Sequence, residues 1–291
     1  MKYVFLLLFG LLYFPINAQV DVNIVFNTDK VNNIEVWVYD NFITGSKHLA
    51  FTADRNFKAS HKKQIDLQQT GKIIVKTVST EQWFYVQPAY EYTIIISAKS
   101  IDIESEDNTN ELMKNIDKLQ VEYRQANTKW PSGDSKKSFV PAMQELLAKL
   151  DSLPSQNTYF DKLLTYKIAS IKYTIAQESR DKIYTKKIEK KYLTETIVDY
   201  TNPLQINFIA QFYYWKSTLL YLRDTPNTSD PYKSFFNELA LSKNDTVKQI
   251  ATLYFIRKAA LSYWGGGQAY TNNLLDSLHK NAVNNILEII T

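Results

Sequence analysis

The sequence predicts an α+β protein in two successive parts, an antiparallel β-sandwich over residues 19–101 and an all-helical bundle over residues 108–291. Three observations carry this. Before residue 101, apolar residues alternate with polar ones in short runs, the period of a strand with one buried face. From Glu111 onward they recur at threes and fours, the period of a helix. Between the two lies Asp102–Asn110, an acidic and polar stretch across which the period changes.

In the first part, Val22, Ile24 and Phe26 share one face, as do Ile34, Val36 and Val38, with a turn over Thr28–Asn33 between them. Lys72–Val78, Trp83–Val86 and Tyr90–Ser97 follow, the last with Tyr92, Ile94 and Ile96 on one face. Short β-branched and aromatic runs separated by turn signals predict a small sandwich.

In the second part, Asn108 or Thr109 is the expected N-cap of the first helix, with Glu111 in its first turn. Leu112, Ile116, Leu119 and Tyr123 line that helix, and Trp130-Pro131-Ser132-Gly133 ends it. Met143, Leu146, Leu147 and Leu150 mark a second helix, stopped at Leu153-Pro154. Phe160, Leu164, Ile168, Ile171 and Ile175 form a long stripe, with Tyr159, Tyr166 and Tyr173 beside it. A basic helix over Ile183–Val198 is expected to turn Ile183, Ile188, Tyr192 and Leu193 inward.

Asn202-Pro203 starts a helix that is apolar nearly all round, as a central helix is. A short helix with Phe235, Phe236, Leu239 and Leu241 follows, then one capped at Asn244-Asp245-Thr246. Gly265-Gly266-Gly267 reads as a helix end, and Leu274 to Ile289 as a last helix. No repeat at solenoid periods is evident.

Composition narrows the function. Of 291 residues, 45% are hydrophobic and 22% charged, so the chain is a folding one. A net charge of +4 is too weak to imply nucleic acid. Residues 1–18 read as a secretory signal peptide: Lys2, the apolar run Val4–Phe14, and Ile16-Asn17-Ala18 before Gln19. This reading is favoured over an uncleaved anchor because the run is short for a bilayer span. No other stretch is a membrane candidate, so the mature chain is expected to have no integral membrane segment. The chain has no cysteine, which excludes disulfides, a lipid-modified cysteine and dithiol chemistry.

The three histidines, His48, His61 and His279, share no helical spacing with a carboxylate, so no metal site is expected. Glu104, Glu106 and Asp107 lack the glycine-bearing loop of a calcium site and read as a solvated linker. Gly265-Gly266-Gly267 lacks the lysine and preceding strand of a phosphate loop. Lys182, Lys186, Lys187, Lys190 and Lys191 form a basic run, either a solvated face or a contact for anionic lipid or glycan. No catalytic or cofactor-binding residues are assigned. Among 20 Tyr, 15 Phe and 5 Trp, the densest cluster is Phe212-Tyr213-Tyr214-Trp215. Tyr213, Tyr214 and Trp215 are the candidate ligand-contact aromatics, with core packing as the competing reading.

The segment Trp83-Phe84-Tyr85-Val86-Gln87-Pro88-Ala89-Tyr90-Glu91-Tyr92-Thr93-Ile94 resembles a motif of exported TlpA-type thioredoxin-like thiol–disulfide reductases of the Bacteroidota. There a strand ending in an aromatic and valine meets a polar residue, Pro and Gly, then Tyr and another strand; Ala89 replaces that glycine. Val38–Phe42, Asp54–Phe57, Tyr166–Ala176, Asn244-Asp245 and Ala282–Ile286 are similar to other parts of the region that precedes the thioredoxin domain. The resemblance implies the accessory half of such a protein, lacking the domain that carries the Cys-x-x-Cys pair. None of the family's catalytic residues has a counterpart here.

The expectation is therefore a non-catalytic, exported protein of the periplasm or outer cell envelope, a binding or scaffolding module. Its partner would be a thioredoxin-domain protein or another envelope protein. The alternatives are a glycan- or peptide-binding component of a nutrient-uptake system, and a hydrolase whose carboxylates leave no readable spacing.

Overall fold

The computed structural model describes residues 18–43, 45–55, 60–67, 71–88, 90–126, 135–224 and 231–261. The signal peptide, the Trp130–Gly133 break, the glycine run, His279 and the expected last helix lie outside these residues. The chain divides into two compact units, Met1–Asp40 with Lys47–Leu112, and Asn41–Ser46 with Met113–Thr291.

The first unit holds two four-stranded sheets. Its strands are β1 (Ala18–Phe26), β2 (Asn33–Asn41), β3 (Ser46–Asp54), β4 (Ser60–Leu67), β5 (Gly71–Lys76), β6 (Glu81–Val86), β7 (Glu91–Ile96) and β8 (Ile101–Glu104). One sheet runs β4-β1-β7-β8 and the other β3-β2-β5-β6. The alternating residues lie where their period requires: Val20, Val22 and Ile24 from one sheet meet Ile34, Val36, Ile73 and Val75 from the other in one buried core.

Three expectations change here. The sheets are not wholly antiparallel, because β1 pairs β7 in parallel, from Asp21 opposite Glu91 to Phe26 opposite Ile96. Alternation fixes which face is buried and carries no strand direction. Val78 lies beyond β5 at the tip of a turn that Thr77 closes, accepting hydrogen bonds at its hydroxyl from the Ser79 and Thr80 N–H groups. The acidic stretch is not a solvated linker, since it begins inside β8 and its Asp107 is buried.

That carboxylate is buried because it is fully partnered. Tyr92 Oη donates to it at 2.6 Å, and the Thr109 N–H and hydroxyl donate at 3.0 and 2.6 Å. The Gln87 N–H donates in turn to Tyr92 Oη at 2.9 Å. The network ties the start of the first helix to β7. Next to it, Asn110 meets the edge of β6: its Oδ1 accepts from the Tyr85 N–H at 2.8 Å and its Nδ2 donates to the Tyr85 carbonyl at 2.7 Å.

The described helices are α1 (Thr109–Ala126), α2 (Ser135–Asp151), α3 (Thr158–Glu178), α4 (Lys182–Glu189), a π-helical turn (Lys190–Thr194), α5 (Pro203–Asp224), α6 (Pro231–Ala240) and α7 (Asp245–Leu261). No helix among the described residues is long and apolar enough to cross a membrane. Side chains cap four of these helix starts. Asn157 and Asp181 accept from the N–H groups of Phe160 and Tyr184. Asn202 accepts from Leu204 and Gln205, with Pro203 at the first helical position. Asn244 accepts from Val247.

Tyr159, Tyr166 and Tyr173 are buried, as the stripe beside them is, and Tyr166 and Tyr173 join a core cluster that the stripe residues do not. Rings and aliphatics from α3, α4, the π-turn, α5, α6 and α7 form the second unit's main core, and Phe42 and Ile43 of the β2–β3 turn pack on it. Ile183 departs from expectation: it is 71% exposed. A five-residue step from Ile183 to Ile188 spans about 140° of a helix, so the two cannot share a face. The basic helix also ends early, in the π-turn. Leu241 lies just past α6 and is exposed as well.

Candidate functional site

A groove of about 470 Å³ runs between α3 and α5. Its floor is aromatic. Tyr173 stands 4.5 Å from Phe212 and edge-on to Phe208 at 6.3 Å, centroid to centroid. Trp215, 49% exposed, closes one side. The remaining lining is polar: Ser170, Thr174, Gln177 and Gln211, with one carboxylate at Glu178 and one guanidinium at Arg180. Helical spacing assembles it. Tyr173, Gln177 and Arg180 follow at threes and fours from α3 into its C-terminal cap; Phe208, Gln211 or Phe212, and Trp215 do so on α5.

Arg180 takes its place at a cost. It is a non-glycine residue with φ of 56°. The Arg180 N–H donates to Gln177 O and the Asp181 N–H to Ala176 O, a Schellman ending in which the left-handed position usually falls to glycine. A side chain there costs roughly 1 kcal/mol.

Tyr173 donates its hydroxyl to the Phe212 carbonyl at 3.1 Å. Burial pushes its phenol far above the usual value, and the charges of Glu189 and Glu238 add to this, so it stays a neutral donor.

On α5 next to the groove's Trp215, Lys216 is held between two carboxylates, Glu189 Oε2 at 3.0 Å and Glu238 Oε2 at 2.8 Å. The Tyr213 hydroxyl donates to Glu189 Oε1 at 3.1 Å. Burial pulls the Lys216 pKa down, but the hydrogen bonds and charges of Glu238 and Glu189 outweigh it, and the net shift is upward. Such a lysine is a poor nucleophile and a poor base. Burial also raises the Tyr213 phenol, with the charges of Glu189 and Glu238 adding to it and a hydrogen bond with Ser242 working the other way.

The three candidate aromatics are therefore parted. Tyr213 is fully buried, Tyr214 is half-buried against the core, and Trp215 alone lines the groove. Successive helical residues point about 100° apart, so three in a row cannot share one surface. Beside Trp215 the groove is lined by Tyr173, Phe208, Phe212 and Arg180, which are not among the three candidate ligand contacts. The first two α5 rings lie at helical spacing before Trp215 and are readable from it; Arg180 has no sequence signal. Of the histidines, His48 Nδ1 meets Asp40 Oδ1 at 2.5 Å and His61 Nε2 meets the Asp54 carbonyl at 2.9 Å, with no shared site. Among the described residues no three histidines and carboxylates group as a metal site would. No protein-family model matches the chain, and no curated protein matches it.

Proposed function

We propose that the chain is a non-catalytic binding module of the exported cell envelope, and that a short glycan segment is its ligand in the α3–α5 groove. The carrying observation is the groove's lining, aromatic rings below and neutral hydroxyls and amides around them. Sugar rings offer C–H faces to aromatics and hydroxyls to groups that both donate and accept. The volume falls in the range of small-ligand sites. Binding is favoured over hydrolysis because the lining holds the single carboxylate Glu178, while Glu189 and Glu238 are committed to Lys216.

Export rests on residues 1–18, and placement in the periplasm or on the outer surface follows from it. The TlpA-type likeness adds a partner, a thioredoxin-domain protein of the same compartment. We read the two sheets, which share one core, as a sandwich, and the helices as a bundle.

Isothermal titration against a panel of neutral oligosaccharides tests the reading. A hit is expected whose affinity falls about tenfold in Trp215→Ala, the loss of one stacked ring. A panel without hits, or a hit indifferent to Trp215→Ala, overturns it; binding confined to peptides replaces the glycan with a peptide.

A further inference from the structure

We propose that the outward face of α4 and the π-turn is a docking surface for a membrane leaflet with anionic headgroups. Two adjacent rows at four-residue spacing make this face, Lys182, Lys186 and Lys190 in one, and Ile183, Lys187 and Lys191 in the other. All six side chains are exposed. The opposite side is anchored by buried Ile188, Tyr192 and Leu193, so the lysines are presented by a fixed element.

Their charge is largely uncompensated. Among the described residues, only Lys190 of the five has a carboxylate within ion-pair distance, Glu195 at 3.4 Å. The other acids of this stretch face elsewhere. Asp181 accepts from the Tyr184 N–H at the helix start, and Glu189 is turned to Lys216 and Tyr213. Five like charges on 10 residues repel one another unless an external anion meets them.

Ile183 selects the kind of anion. It is 71% exposed at the head of a lysine row. A soluble polyanion or an acidic protein surface gains little from an isoleucine there. A bilayer gains at both levels, headgroups meeting the lysines while the aliphatic side chain enters the acyl boundary. The surface shares no residue with the groove's lining and does not depend on the glycan reading.

Vesicle co-sedimentation of the full chain tests this, with phosphatidylcholine alone against phosphatidylcholine mixed with phosphatidylglycerol. The apolar Val4–Phe14 run is common to every variant and sets the binding to neutral vesicles. Excess binding to anionic vesicles is expected, reversed by high salt. Lys186→Glu with Lys187→Glu should lower that excess more than about tenfold. Ile183→Ser should lower it about threefold or more while leaving the salt dependence unchanged. Circular dichroism checks that both variants fold. No anionic excess, or an excess retained by the double variant, overturns the proposal. So does retention of inorganic polyphosphate with no effect of Ile183→Ser on vesicles, which makes the face a site for soluble polyanions.

Discussion

The core of the strand unit is nearly all aliphatic, Val20, Val22, Ile24, Ile34, Val36, Ile73, Val75, Ile94 and Ile96 among its members. The core of the helical unit is rich in rings, with Tyr166, Tyr173, Tyr192, Phe208, Phe212, Tyr213, Phe235 and Phe255. The two also place polar atoms differently. The strand unit gathers most of its buried polar groups, Gln87, Asp107 and Thr109, around Tyr92, where the first helix joins β7. The helical unit carries an ion cluster, Lys216 with Glu189 and Glu238, against the rings of Phe212 and Tyr213. In the helical unit, rings on α3 and α5 leave an interval with polar edges. The groove is thus a consequence of how the helical core is filled.

Removing the central charge is expected to have the largest effect. Lys216→Ala leaves two carboxylates facing each other with little solvent, and should cost about 3 kcal/mol in urea unfolding. The pH dependence has a definite sign. The folded pKa of Lys216 lies above the usual 10.5, so its contribution is complete below that value and is lost as pH rises through the folded value. The gap between the wild type and Lys216→Ala should therefore close in strongly alkaline solution. A gap that is flat there, or one smaller than the next variant's, would break the contrast between the cores.

Tyr92→Phe probes the strand unit's counterpart. It deletes a hydroxyl that donates to Asp107 and accepts from the Gln87 N–H, both buried, and should cost about 2 kcal/mol in the same assay. A loss under half that size would mean that water substitutes at the seam.

The smallest effect should have the opposite sign. Arg180→Gly relieves a left-handed residue and should stabilise the helical unit by about 0.5–1 kcal/mol. Under the glycan reading the same change weakens ligand binding. Stabilisation without loss of affinity would leave Arg180 outside the site.

Much of the central framework was legible in sequence and the margins were not. The strands β1, β2 and β7 alternate because one face of each is buried, whereas β5 buries Ile73, Ile74 and Val75 in succession. The edge strands β3 and β4 carry no such signal, for the reverse reason. In β3 the only fully buried side chain is Ala53, and in β4 only Ile65 and Leu67 are buried, near its end. With so little buried there is no period to read. The helices were legible from their stripes, but an aromatic cluster in the sequence did not mean a cluster in space, as Tyr213 and Trp215 show. Tyr173 belongs to the groove through a helix distant in sequence, which no spacing reveals.

The clamp of Asn110 on Tyr85 has a consequence for how separate molecules meet. In the order β3-β2-β5-β6, β6 is an outer strand, and its outward backbone groups are a template on which a foreign strand could grow. One carboxamide offers Tyr85 the same donor and acceptor that a neighbouring strand would. It terminates the ladder with a single side chain, in the way a chain-terminating unit ends a polymer. Among the described residues, Asn110 thereby guards this border against runaway association at Tyr85, from outside the sheet.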